Sequence, residues 1–145
     1  MRTPIRFLRV GAALAAAVLL TGCSRRPSTR ALDPVNELPQ GVVDGPRDGD
    51  KVSTMTQVGG WAIDDRGVKE VRIYVDGHYN NVTPLNTSRP DVVKAYPQYG
   101  HGSDVVGYTT VVEFPGPGPH TIVVQAVDTD GATRDLGAVK VTVGG

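Results

Sequence analysis

Residues 118–143 read GPHTIVVQAVDTDGATRDLGAVKVTV, and this stretch decides the fold. Ile122, Val124 and Ala126 alternate with Thr121, Val123 and Gln125, and Val139, Val141 and Val143 alternate with Lys140 and Thr142. A period of two puts one set on one face of a strand and the other set on the opposite face. Between the two runs lies Asp128-Thr129-Asp130-Gly131. An Asp side chain bonds backbone amides two residues on, and Gly tolerates positive φ, so this segment is read as a turn.

The same device occurs upstream. Ala62-Ile63-Asp64-Asp65-Arg66-Gly67 repeats the order of Ala126-Val127-Asp128-Thr129-Asp130-Gly131: alanine, apolar residue, aspartate, two variable residues, glycine. Working outward, strands are expected over 55–63, over 68–76 with Val71, Ile73 and Val75 facing inward, and from Tyr79 to Thr83. Another is expected over 105–114, and a short first strand at Lys51-Val52. Turns rich in Gly, Pro and Asp recur about every ten residues, the pattern of an all-β sandwich of about seven antiparallel strands. One helical turn is expected after Ser88, with Pro90 at a favoured early position.

The N-terminal residues read differently. Residues 1–9 carry Arg2, Arg6 and Arg9 with no acid, and 10–20 are uncharged. That run is shorter than the ~20 apolar residues a membrane span requires, and its flanks are those of a secretory signal. It ends in Leu20-Thr21-Gly22-Cys23, which resembles the lipobox of bacterial lipoproteins. The resemblance implies cleavage before Cys23, alkylation of its thiol with diacylglycerol, and palmitate-type acyl chains as a membrane anchor in the cell envelope. Ser24 at the next position favours the outer membrane if the cell is Gram-negative. Cys23 is the only cysteine, so no disulfide forms within one chain.

Residues 1–22 are therefore read as signal peptide, 23–40 as the lipidated cysteine and a disordered tether, and 41–145 as the folded domain. Residues 24–40 contain three prolines and show neither strand nor helix periodicity, so they are expected to bury little. Removing 22 residues from 145 leaves 123, with 12 basic (15 minus Arg2, Arg6 and Arg9) and 15 acidic side chains, a net charge of −3. No basic stripe is present, which argues against nucleic acid as a partner.

Three stretches, 59–77, 88–108 and 118–143, resemble the bacterial immunoglobulin-like domains of surface and secreted proteins. The resemblance implies an immunoglobulin-like β-sandwich and says little about function, because such sandwiches host many roles. The 84–104 connection departs from it by its length.

Chemistry is sparse. His78, His101 and His120 sit in separate segments without metal-ligand spacing, and the glutamates, Glu37, Glu70 and Glu113, suggest no glycosidase pair. No nucleophile elbow, HExxH or phosphate-binding loop occurs, so a non-enzyme without a cofactor is expected. Asp64, Asp65, Asp128 and Asp130 are read either as turn acids or as hard carboxylates for Ca²⁺. Trp61 should point away from the core, either under the 84–104 segment or exposed with Tyr96 and Tyr99 as a platform. Strand direction puts both aspartate turns at one pole and starts the 84–104 connection there, bringing Arg89, Asp91, Tyr96, Tyr99 and His101 near Asp64 and Asp128. Arg89 is expected to pair with one of those acids.

The expected ligand-binding group is thus Trp61, Arg89, Tyr96, Tyr99 and His101, in a non-catalytic module for protein binding, adhesion or spacing. A carbohydrate-binding accessory domain for peptidoglycan or surface polysaccharide is the alternative. The lipid reading has a direct test. Cells fed radioactive fatty acid should label the wild-type chain and leave Cys23→Ser unlabelled, whereas equal labelling of the two would sink it.

Overall fold

The computed structural model describes residues 35–145; the segment read as a signal peptide, Cys23 and most of the segment read as a tether lie outside them. Strands β1 (Gln40–Gly45), β3 (Met55–Ile63), β7 (Val105–Glu113) and β6 (Thr87–Ser88) form one sheet in that order. Strands β2 (Lys51–Val52), β9 (Thr133–Val143), β8 (Gly118–Asp128), β4 (Val68–Val75) and β5 (His78–Thr83) form the other. All neighbours are antiparallel except β2 and β9, which pair in parallel. The architecture is an immunoglobulin-like β-sandwich in which seven strands have six or more residues and two have only two. Helix α1 (Pro90–Ala95) follows Ser88 with Pro90 in its first turn, and a short 3₁₀ segment (Pro97–Tyr99) follows it.

The alternation read from the sequence builds the core. Val71, Ile73 and Val75 from β4, Ile122, Val124 and Ala126 from β8, and Val139, Val141 and Val143 from β9 meet Val58, Ala62, Tyr108 and Val112 from the opposite sheet. Tyr108 is fully buried, and its hydroxyl donates to the Val42 carbonyl at 3.0 Å, tying β7 to β1 across β3. Its ring lies against Gly60, where a Cβ would overlap the Val42 carbonyl and crowd the tyrosine hydroxyl at 2.6 Å. Burial pushes the Tyr108 phenol well above its ordinary value.

Two strands were not legible in the sequence. β1 carries two glycines in six residues and its Val42 faces solvent, so only Val43 packs against the core. β6 is two residues long, too short to express a period.

At one end of the sandwich the β4–β5 connection is a tight hairpin whose central residues, Asp76 and Gly77, have φ of 50° and 78°. Two consecutive positive values suit the right-handed twist of the strands. His120 locks this turn to the β7–β8 connection. Its Nδ1 donates to Asp76 Oδ2 at 2.6 Å and its Nε2 to the Gly116 carbonyl at 2.8 Å, while the ring packs on Phe114 at 5.2 Å. Both partners are acceptors, so the ring needs both protons to satisfy them.

The hydrogen bond to Asp76 therefore raises His120 above its ordinary 6.5, and accepting that bond holds Asp76 below its ordinary 3.8. A raised histidine stabilises the fold fully below its unfolded value and loses that contribution as pH rises through the folded one. The thermal midpoint should fall as pH is raised from about 6 to about 8, and His120→Gln should flatten that slope. A slope unchanged in the variant, followed by calorimetry, would assign the pH dependence to another group.

Candidate functional site

The opposite end holds the residues singled out in the sequence, and the two echoed turns build it. In each turn the aspartate Oδ1 accepts the backbone N–H two residues on: Arg66 N to Asp64 at 2.8 Å, and Asp130 N to Asp128 at 2.9 Å. In each, the glycine N–H returns to the aspartate carbonyl, at 3.3 Å for Gly67 and 3.2 Å for Gly131. The glycines have φ of 94° and 93°, which admits no Cβ without strain. The turns also bond to each other through Thr129, whose N–H reaches the Gly67 carbonyl and whose hydroxyl reaches the Arg66 carbonyl, both at 3.0 Å.

Both carboxylates are buried, with Asp64 2% and Asp128 0% exposed, yet their surroundings differ. Asp128 accepts from Asp130 and Ala132 on Oδ1, and from the Asn36 side chain on Oδ2 at 2.7 Å. Burial pushes it up, but these hydrogen bonds outweigh burial and hold it below its ordinary value. Asp64 Oδ2 has no hydrogen-bond partner, and burial, with repulsion from Asp128 and Asp65, raises Asp64.

The 84–104 connection arrives where strand direction puts it. His101, itself at φ 48°, donates Nε2–H to the Asp64 carbonyl at 2.8 Å. The Tyr99 hydroxyl donates to Glu37 at 2.7 Å, which raises the phenol. Tyr96 tilts over Trp61 at 5.8 Å between ring centroids. Trp61 is half-buried in a satellite cluster of Ile63, Val92 and Val106, with Val93 and Tyr99 at its margin. The segment therefore covers Trp61, and Tyr96, 39% exposed, is the outer ring. Between the Asp64 turn and residues 99–106 runs a groove of about 340 Å³.

Arg89 does not join this group. It pairs with Asp44 on β1 at 2.6 Å and with Asp91 in a two-pronged bond at 2.7 and 2.9 Å, the latter chiefly raising the guanidinium. The reason lies in β6. By pairing Thr87 with Gly107 it draws the chain along β7, so Arg89 lies over the outer face of that sheet. Gly107 leaves room for it, since a Cβ there would crowd Arg89 Cγ at 2.8 Å. An exposed pair of this kind contributes about 0–1 kcal/mol.

The aspartates act as turn acids. Among the described residues no three His, Cys, Asp or Glu side chains group as metal ligands. Asp65 is engaged by the Glu37 N–H and the Arg66 side chain, and Asp130 is exposed. The Oδ1 atoms of Asp64, Asp65 and Asp128 accept backbone N–H groups, and the Oδ2 atoms of Asp65 and Asp128 accept from the Arg66 and Asn36 side chains.

A second correction concerns the tether. Its last residues pack on the pole: Asn36 on Asp128, Glu37 on Asp65 and Tyr99, and Pro39 fully buried, while Gln40 begins β1. Asn36, Glu37 and Asp44 were invisible to pattern reading because isolated polar residues beside prolines carry no period.

The asymmetry of the two aspartates is testable by one substitution at each. Asp64→Asn keeps the turn acceptor and removes a buried charge beside Asp128, so stability at neutral pH should hold or rise. Asp128→Asn loses a charged acceptor with three donors and should cost about 2 kcal/mol. Denaturant unfolding measures both, and equal losses would contradict the assignment.

No protein-family model matches the chain, and no curated protein matches it. Among solved structures it is similar to the fibronectin(III)-like modules of Clostridium thermocellum CbhA, at 19% identity and a TM-score of 0.49, over 73% of this chain and 46% of that one. It is similar to dimeric latent PorU from Porphyromonas gingivalis at 16% identity and a TM-score of 0.50, over 82% of this chain and 11% of that one. A Jonesia denitrificans lytic polysaccharide monooxygenase matches at 12% identity and a TM-score of 0.46, over 68% of this chain and 60% of that one. The chain thus spans less than two thirds of each, and at these identities the likeness is one of fold alone.

Proposed function

We propose that this chain is a non-catalytic envelope lipoprotein, held on the membrane by a lipid on Cys23. Its immunoglobulin-like sandwich serves as a protein-binding, adhesion or spacer module, with another envelope protein as the partner. The outer membrane is its place if the cell is Gram-negative.

The observation that supports this reading is how the pole spends its polar groups. The Asp128 carboxylate, Asp64 Oδ1, the His101 ring and the Tyr99 hydroxyl all bond to the domain itself. Such an end is a shaped, fixed surface. Loops carried on a rigid sandwich are the usual place for recognition. The chain also enters at this pole. Asn36 lies thirteen positions after Cys23 (36 minus 23), a span of at most about 45 Å when fully extended.

Carbohydrate binding is the alternative, and it requires a bare aromatic face. Tyr96 lies over Trp61, which favours a protein partner. A photo-crosslinking amino acid at position 96, placed in the full chain in cells, should give one protein adduct of discrete mass. The same chain should pass through a peptidoglycan column unretained. Retention on peptidoglycan that disappears in Trp61→Ala, with no adduct, would establish the alternative instead.

A further inference from the structure

Far from the aspartate pole, the outer edge of β7 carries no ladder; β5 of the opposite sheet lies alongside it and reaches it through side chains only. β6 pairs with β7 only at Gly107 and Val105, so residues 109–113 run beyond it. Their carbonyls are nevertheless taken. Asn86 Nδ2 donates to the Thr109 carbonyl at 2.8 Å, Asn81 Nδ2 to Val111 at 2.7 Å, and Asn80 Nδ2 to Glu113 at 3.0 Å. The Asn86 side-chain oxygen also accepts the Thr109 N–H at 2.9 Å. Positions 109, 111 and 113 are the period-two series that an added strand would engage. Three asparagine amides stand where that strand's N–H groups would be.

The latch is imperfect. Asn81 Oδ1 is buried without a partner, so the closed state leaves an acceptor unsatisfied. Beside the latch lies a groove of about 760 Å³, lined by Met55, Tyr79, Val111, Phe114, Asp76 and Glu113 among others. Met55, Tyr79 and Val111 are 64%, 59% and 51% exposed, although each is large and apolar. Of the two acids in the lining, Asp76 is held by His120, which leaves Glu113 with no Lys or Arg beside it.

We propose that the 109–113 edge of β7 is a strand-acceptor site, closed at rest by Asn80, Asn81 and Asn86, and that its occupant is an extended, basic, alternating segment of a partner protein. Exchange of side-chain amides for backbone amides conserves the number of hydrogen bonds and is nearly neutral. The occupant gains by covering Met55, Tyr79 and Val111, by freeing Asn81 Oδ1, and by placing a cation near Glu113. Main-chain pairing supplies affinity and alternate side chains supply selectivity. This deepens the protein-binding reading but stands apart from the lipid and the pole, so its failure leaves both in place.

The probe is a capped peptide, Lys-Thr-Val-Thr-Val-Thr-Lys, with two variants N-methylated at either the Val or the Thr amides. Added to the full chain, the parent should shift the NMR signals of residues 109–113 and the side-chain amides of Asn80, Asn81 and Asn86. Only one edge of a strand faces β7, so one methylated peptide should bind at least about tenfold more weakly and the other like the parent. Val111→Lys, at an exposed position, should abolish binding with an unchanged melting temperature, and Met55→Lys repeats the test from β3. No binding by the parent, equal behaviour of the two methylated peptides, or shifts confined to the Asp64 turn would overturn the proposal.

Discussion

Two aspartates buried at one end of the sandwich set the conditions for everything around them. A carboxylate removed from water is costly unless hydrogen bonds replace its hydration. Here the replacement donors are backbone N–H groups of the residues that immediately follow. This forces the chain to curl back over the carboxylate and reverse, so the burial and the turn are one event. The two turns lie side by side because β3 and β8 run to the same end, and Thr129 joins them. Residues 36–39 and 99–101 then dock on a platform already formed.

The platform is not symmetric. Asp128 draws a third donor from Asn36 and is held ionised, whereas Asp64 keeps one oxygen without a partner and is pushed toward the neutral form. Two like charges at this depth oppose each other, and giving one of them the better hydrogen bonds is a physical way to keep both. The donor comes from the segment entering the fold, so the N-terminal residues contribute electrostatically to a turn 92 positions away.

What could be read from the sequence follows the same physics. Alternation at Val71, Ile73 and Val75, or at Val139, Val141 and Val143, is local and repeats, so those strands and their buried faces were legible. The echo around Asp64 and Asp128 was legible because an Asp turn and its glycine are encoded within four residues. The pole followed from counting strand reversals. Contacts across the chain were not legible. Asn36 on Asp128 and Arg89 on Asp44 join residues with no shared pattern, and each depends on where a short strand draws the backbone. The two-residue β6 sent Arg89 away from the acids it was expected to meet. The asparagine latches escaped for another reason. Asn80, Asn81 and Asn86 look like ordinary turn residues until the carbonyls of β7 are placed beside them.

The two ends of the molecule therefore use polar side chains in opposite ways. At the aspartate pole, backbone donors serve buried side-chain acceptors, and opening any of these bonds strands a charge in a dry site. Along β7, side-chain donors serve backbone acceptors at an exposed edge, and opening those bonds exposes carbonyls to water at small cost. The first arrangement resists change and the second tolerates it. Since β3 and β7 run the length of the sandwich in opposite directions, the tolerant edge reaches the end remote from the point where the chain enters. The end where the described chain enters is thus the rigid one, and the tolerant edge runs toward the other.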